Sequence, residues 1–92
     1  MRITIQYWAQ ARQAAQRDAE TIELDGPCGI AQLLQKLAQA HGEQLRRIVL
    51  AGDSTPHPSL VLVLRDQQVS ADFREPLRDG DVLAIIPPIA GG

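Results

Sequence analysis

At 92 residues the chain has room for one domain, and a domain of that size buries only about 60–65% of the surface its unfolded chain exposes. An apolar fraction of 45% with 22% charged residues excludes intrinsic disorder, and a net charge of −2 with cations scattered singly, apart from Arg46-Arg47, argues against nucleic acid or an anionic membrane as the main partner. Cys28 is the single cysteine, so an intrachain disulfide is excluded and a reducing compartment, the cytoplasm, is expected.

Arg2 to Trp8 alternates, with Ile3, Ile5 and Tyr7 on one face and Arg2, Thr4, Gln6 and Trp8 on the other, which predicts a strand. The same alternation breaks any signal-peptide core, and no apolar run approaches transmembrane length. Ala9 to Gln16 is rich in Ala, Gln and Arg and predicts a short helical connection. Thr21 to Asp25 alternates again, with Ile22 and Leu24 on one side, and is expected to pair with the first strand.

Asp25-Gly26-Pro27 ends that strand, and Ile30, Leu33, Leu34, Leu37, Ala38 and His41 then form one stripe of an amphipathic helix stopped by Gly42. His41, in the last turn, is expected to serve the terminal carbonyls and the helix dipole. Cys28 lies near the helix start, a position that can lower a thiol pKa, but no neighbouring His or second Cys offers it a base or redox partner. Glu43 to Leu50 reads as a second short helix and Ala51 to Ser59, with Gly52, Pro56 and Pro58, as a loop carrying a solvated His57. Cys28, His41 and His57 lack a fourth ligand and any local spacing for zinc.

Leu60 to Leu64 and Val82 to Ile86 are apolar at every position, as strands covered on both faces are. Val69 to Ala71 is a short pairing segment between them, and Leu77-Arg78-Asp79-Gly80-Asp81 a tight turn in which side chains bond to backbone. One helix covers one face of such a sheet. The second face takes its cover either from the short helices and Trp8 or from a docked partner.

The last six residues, Pro87-Pro88-Ile89-Ala90-Gly91-Gly92, carry the functional signal. The prolines lack N–H donors, so the ladder ends at Ile86 and an extended tail begins, dividing the chain into a domain over 1–86 and a tail over 87–92. Two residues without Cβ give a strip of backbone that enters channels too narrow for side chains. At ~3.3–3.6 Å per residue the tail reaches ~20 Å, into another protein's active site. The chain has no phosphate loop, no Gly-x-Gly-x-x-Gly, no His-Glu-x-x-His and no nucleophile elbow, so any nucleotide chemistry at the tail belongs to another protein.

Tyr7-Trp8-Ala9-Gln10-Ala11-Arg12, the helix from Ile30, and above all Pro76-Leu77-Arg78-Asp79-Gly80-Asp81-Val82 followed by Ile85-Ile86-Pro87-Pro88-Ile89-Ala90-Gly91-Gly92 resemble the small, sulfur-carrying subunits of molybdopterin synthase. The resemblance spans nearly the whole chain, and the last block is its specific part. It implies an α+β, ubiquitin-like β-grasp fold: a mixed sheet of about five strands, one main helix and a flexible C-terminal Gly-Gly tail. It further implies that an adenylating enzyme uses ATP and Mg²⁺ to activate Gly92, that a persulfide donor supplies sulfur to leave a thiocarboxylate, and that the tail inserts into the synthase large subunit. The sulfur then passes to a cyclic pyranopterin. By the same resemblance Gly92 is the reacting residue, and Ile86, Pro87, Pro88, Ile89, Ala90 and Gly91 bind the partner; no cofactor is held by the chain itself. A carrier for thiamine or another pathway, a ubiquitin-like modifier joined to lysines, and an interaction domain with an inert tail are the alternatives.

Overall fold

A computed structural model describes residues 1–52, 55–70 and 74–88. The first strand, β1 (Arg2–Tyr7), buries Ile3, Ile5 and Tyr7 as its alternation requires. Helix α1 (Ala9–Ala15) follows and ends at Gln16 in the left-handed conformation, φ 60°. Strand β2 (Ala19–Glu23) returns antiparallel to β1, with Ile3 opposite Ile22 and Ile5 opposite Glu20. It begins two residues earlier than Thr21. Neither Ala19 nor Glu20 favours a strand, but the ladder is already closed where the Tyr7 N–H bonds to the Asp18 carbonyl at 2.8 Å.

Helix α2 (Ile30–His41) buries Ile30, Leu33, Leu34, Leu37 and Ala38. The Gln32 side chain accepts the Gly29 N–H at 2.9 Å at its start. Gly42, at φ 95°, ends the helix in a conformation that residues with a Cβ rarely adopt. Helix α3 (Glu43–Val49) buries Leu45 and Val49. The segment expected to be a plain loop carries a small ladder instead: β3 (Leu50–Ala51) pairs with β4 (Thr55–Pro56). Two-residue strands leave no alternation to read, and Asp53 and Ser54 between them lie outside the described residues.

Strands β5 (Val61–Leu64) and β6 (Gln67–Val69) form a hairpin whose two turn residues, Arg65 and Asp66, both have positive φ, 52° and 63°. The pairing forecast for Val69 to Ala71 thus comes earlier, and Ala71 lies outside the described residues. The last strand, β7 (Val82–Ile86), enters the middle of the sheet, parallel to β1 and antiparallel to β5, in the order β2-β1-β7-β5-β6. First and last strands side by side at the centre of a five-stranded mixed sheet, with the main helix across one face, are the β-grasp arrangement.

The register assigns the two faces. Ile5 lies opposite Leu83, Tyr7 opposite Ile85, and Leu62 and Leu64 opposite Ile85 and Leu83; all are buried with Ile30, Leu33, Leu34 and Leu37 in one core. The full cover expected for the two most apolar strands is not realised. Val61 and Val63 are half-buried and Val82 is 40% exposed, because the core containing the helices lies on the other side.

Candidate functional site

The candidate site is the open face of the sheet and the end of β7. Thr4 lies opposite Val82, Gln6 opposite Ala84, Val63 opposite Ala84 and Val61 opposite Ile86, so Val61, Val63, Val82, Ala84 and Ile86 share the face turned away from the core. Trp8 continues the outward side of β1. It is extended (φ −120°, ψ 150°), 53% exposed, and donates its N–H to the Ile85 carbonyl at 3.1 Å. That bond ties it one step beyond the Tyr7–Ile85 pair, where alternation gives it the same side of the sheet as Ile86. Trp8 is therefore a surface residue and not a core residue.

β7 stops at Ile86 because Pro87 has no N–H for a further ladder bond. Pro87 is buried and Pro88 exposed, so the first proline belongs to the packed body and the second leaves it. Ile89, Ala90, Gly91 and Gly92 lie outside the described residues. Of the seven positions singled out from the sequence, Ile86, Pro87 and Pro88 are thus placed together at one end of the sheet. The valines of the open face were not singled out. Their signal was an apolar residue at every position of a strand that needs one only at alternate positions.

The other end of β7 is clamped. Gly80, at φ 88°, carries the turn, and Asp79 accepts the Arg2 N–H at 2.7 Å. Asp81 accepts the Arg78 N–H at 2.7 Å and both Nε and Nη2 of Arg65 at 2.9 Å. Burial works against the Asp81 carboxylate, but the Arg65 fork and the Arg78 amide outweigh it and hold its pKa below the usual aspartate range. The side-chain bonds expected of this turn are present; the partner at Arg65 had no sequence signal.

A second polar cluster joins β1, β2 and α2. Tyr7 Oη and His41 Nε2 both donate to Glu20 Oε1 at 2.5 Å, and Arg17 Nη1 donates to Glu20 Oε2 at 3.2 Å. The Tyr7 and His41 rings meet edge-to-face, centroids 5.8 Å apart. His41 therefore serves a carboxylate and not the helix carbonyls, because β2 begins early enough to bring Glu20 beneath the helix end. Burial, then the bond to Glu20, push the Tyr7 hydroxyl up, so it remains a donor. Burial also opposes the charge on Glu20, but its bonds from Tyr7 and His41 prevail and its pKa falls below the ordinary value.

Cys28 is buried, and that burial raises its thiol pKa in spite of Lys36 and the nearby helix start. His57 accepts the Ser59 N–H at 3.1 Å through Nδ1 and donates its backbone N–H to the Val49 carbonyl at 2.9 Å, organising the chain between β4 and β5. Among the described residues no three His, Cys, Asp or Glu side chains form a group able to hold a metal, and no helix is long and apolar enough to cross a membrane.

Against known proteins, the sequence model of the ThiS family matches residues 5–92. The chain belongs to the ThiS family. A molybdopterin synthase sulfur carrier subunit from Chlamydomonas reinhardtii is 34% identical over the full length of both chains. Solved structures share the fold. SAMP1 from Haloferax volcanii superposes with a TM-score of 0.85 at 22% identity, covering 100% of each chain. In a complex of subunits 1 and 2 of molybdopterin-converting factor from Helicobacter pylori, one chain superposes with a TM-score of 0.62 at 20% identity, again covering 100% of each. At those identities the likeness is one of fold.

Proposed function

We propose that this ThiS-family chain carries sulfur for molybdopterin synthesis on the carboxyl group of Gly92. The observation that carries the reading is the full-length identity to a molybdopterin synthase sulfur carrier subunit. A carboxylate is a poor electrophile until one oxygen becomes part of a leaving group. An adenylating enzyme supplies that step with ATP and Mg²⁺, forming the acyl-adenylate of Gly92 and releasing pyrophosphate. A persulfide sulfur then displaces AMP, and a thiol cleaves the resulting acyl disulfide to leave the thiocarboxylate, the donor to a pyranopterin. The absence of phosphate-binding motifs fits a chain that borrows its nucleotide chemistry. A reducing cytoplasm suits a thiocarboxylate and a lone thiol.

The division of labour follows the sheet. Ile86 and Pro87 end the packed body, Pro88 stiffens the exit, and Ile89, Ala90 and Gly91 thread a narrow channel that admits bare backbone. Trp8, Val61, Val82 and Ile86 offer an apolar face to a large synthase subunit. The two-subunit Helicobacter pylori complex supports a partner of that kind. Adding one residue after Gly92 moves the reacting carbonyl past the partner's active site. With purified activating enzyme, persulfide donor and large subunit, the extended chain is expected to fold and form no dithiolene product. Full product from the extended chain would refute the reading.

A further inference from the structure

The longer edge of the sheet is β2, with five residues against three for β6 at the opposite side. An antiparallel ladder alternates residues that exchange both backbone bonds with their partner and residues that exchange none. The Tyr7 N–H bonds to the Asp18 carbonyl and the Leu24 N–H to the Met1 carbonyl, both at 2.8 Å. Glu20 and Ile22, opposite Ile5 and Ile3, therefore turn their backbone groups inward to β1. Ala19, Thr21 and Glu23 turn theirs outward, beyond the last strand of the sheet. Edge strands are usually blunted by proline, by charged side chains such as lysine, or by a bulge. β2 contains no proline or lysine, its two glutamates are engaged by Arg2 and by Tyr7, His41 and Arg17, and its register with β1 is unbroken.

We propose that this edge pairs with β2 of a second copy of the chain, antiparallel about a two-fold axis through Thr21, joining the two five-stranded sheets into one. In that register Thr21 faces Thr21, Ala19 faces Glu23 and Glu23 faces Ala19. Outward positions meet outward positions at all three pairs, and each pair exchanges two backbone bonds.

The flanking charges select this register. Arg17 and Asp25 are both exposed and stand just beyond the two ends of the ladder. Centring on Thr21 brings Arg17 of each copy opposite Asp25 of the other; centring on Glu20 or Ile22 does not. Glu23 is already held by Arg2 at 2.8 Å, whereas Asp25 makes no ion pair among the described residues. Arg17 spends one donor on Glu20 and keeps the rest of its fork.

A two-fold axis normal to the sheet keeps the helices of both copies on one side. The groove of about 440 Å³ between β2 and α2, floored by Ile22, Leu24 and Leu37, then faces its own copy across the axis. β7 lies two strands inward, so the open face and the end of β7 stay accessible and the inference stands apart from the proposed function.

Sedimentation equilibrium of the full chain from micromolar to millimolar concentration, at low salt, tests this. The mass is expected to rise from one chain to two. Thr21→Pro removes an outward N–H, no backbone bond to β1 and only the exposed hydroxyl contact of Thr21 with Thr4 at 3.3 Å, so it should leave the circular dichroism intact and the mass at one chain. Arg17→Asp should weaken association about tenfold, through two symmetric pairs, and Arg17→Asp with Asp25→Arg should restore it. That exchange reads out the register even if the proline variant fails to fold. A single-chain mass throughout would leave the edge to another occupant, such as an extended peptide, and overturn the proposal. So would a dimer indifferent to the charge exchange.

Discussion

Arg65 grips both carboxylate oxygens of Asp81 at 2.9 Å, joining the β5–β6 hairpin turn to the residue that launches β7. Asp81 is 8% exposed and also receives the Arg78 N–H. Asp81→Ala leaves those donors without their acceptor. A loss of about 2 kcal/mol in urea unfolding is expected, with Asp81→Asn retaining part of it. A change below about 0.5 kcal/mol would show that the clamp is ornamental to the fold.

Glu20 and Asp81 both have folded-state pKa values below their ordinary values of 4.5 and 3.8. A depressed carboxylate stabilises the fold above the unfolded pKa, and that stability is lost as pH falls through the folded one. The melting temperature should therefore be flat near neutrality and fall on acidification from about pH 4.5 downward. Glu20→Gln should melt lower at pH 7 and show a shallower acid slope. An unchanged slope in that variant would remove Glu20 from the account.

If the proposed function holds, Trp8 and Leu83 separate binding from folding. Trp8 is 53% exposed and anchored by its backbone, so Trp8→Ala should shift stability by less than about 1 kcal/mol. Its affinity for the large synthase subunit, read by calorimetry, is expected to drop at least about tenfold, as for aromatic anchors at interfaces. Leu83→Ala, at a fully buried position of the same strand as Ile86, should do the reverse and cost about 3 kcal/mol of stability. Wild-type affinity in the Trp8 variant would move the docking surface elsewhere.

Cys28 should be inert in the native state. Its burial and raised pKa predict slow alkylation at neutral pH and rapid alkylation in urea. Equal rates in the two conditions would contradict its place in the core.

What could be read from the residues alone was set by periodicity. Ile3-Ile5-Tyr7 and Ile30-Leu33-Leu34-Leu37 announce their faces, and a buried strand or helix follows from each. The early start of β2 was hidden because Ala19 and Glu20 have no strand preference, and with it went the true role of His41, which depends on Glu20 arriving beneath α2. Arg65 and Asp81 are 16 positions apart, and no local spacing links them. The candidate site divides the same way. The Pro-Pro exit is a local signal, whereas the apolar open face exists only once the register of β1, β5 and β7 aligns Trp8, Val61, Val82 and Ile86 on one side.

The central claim is that Gly92 carries sulfur, and the intact mass of the chain purified gently from cells containing its adenylating partner tests it most directly. The account predicts a species in which one oxygen is replaced by one sulfur, absent from cells without that partner. An ordinary carboxylate on every molecule, with the partner present and active, would contradict it.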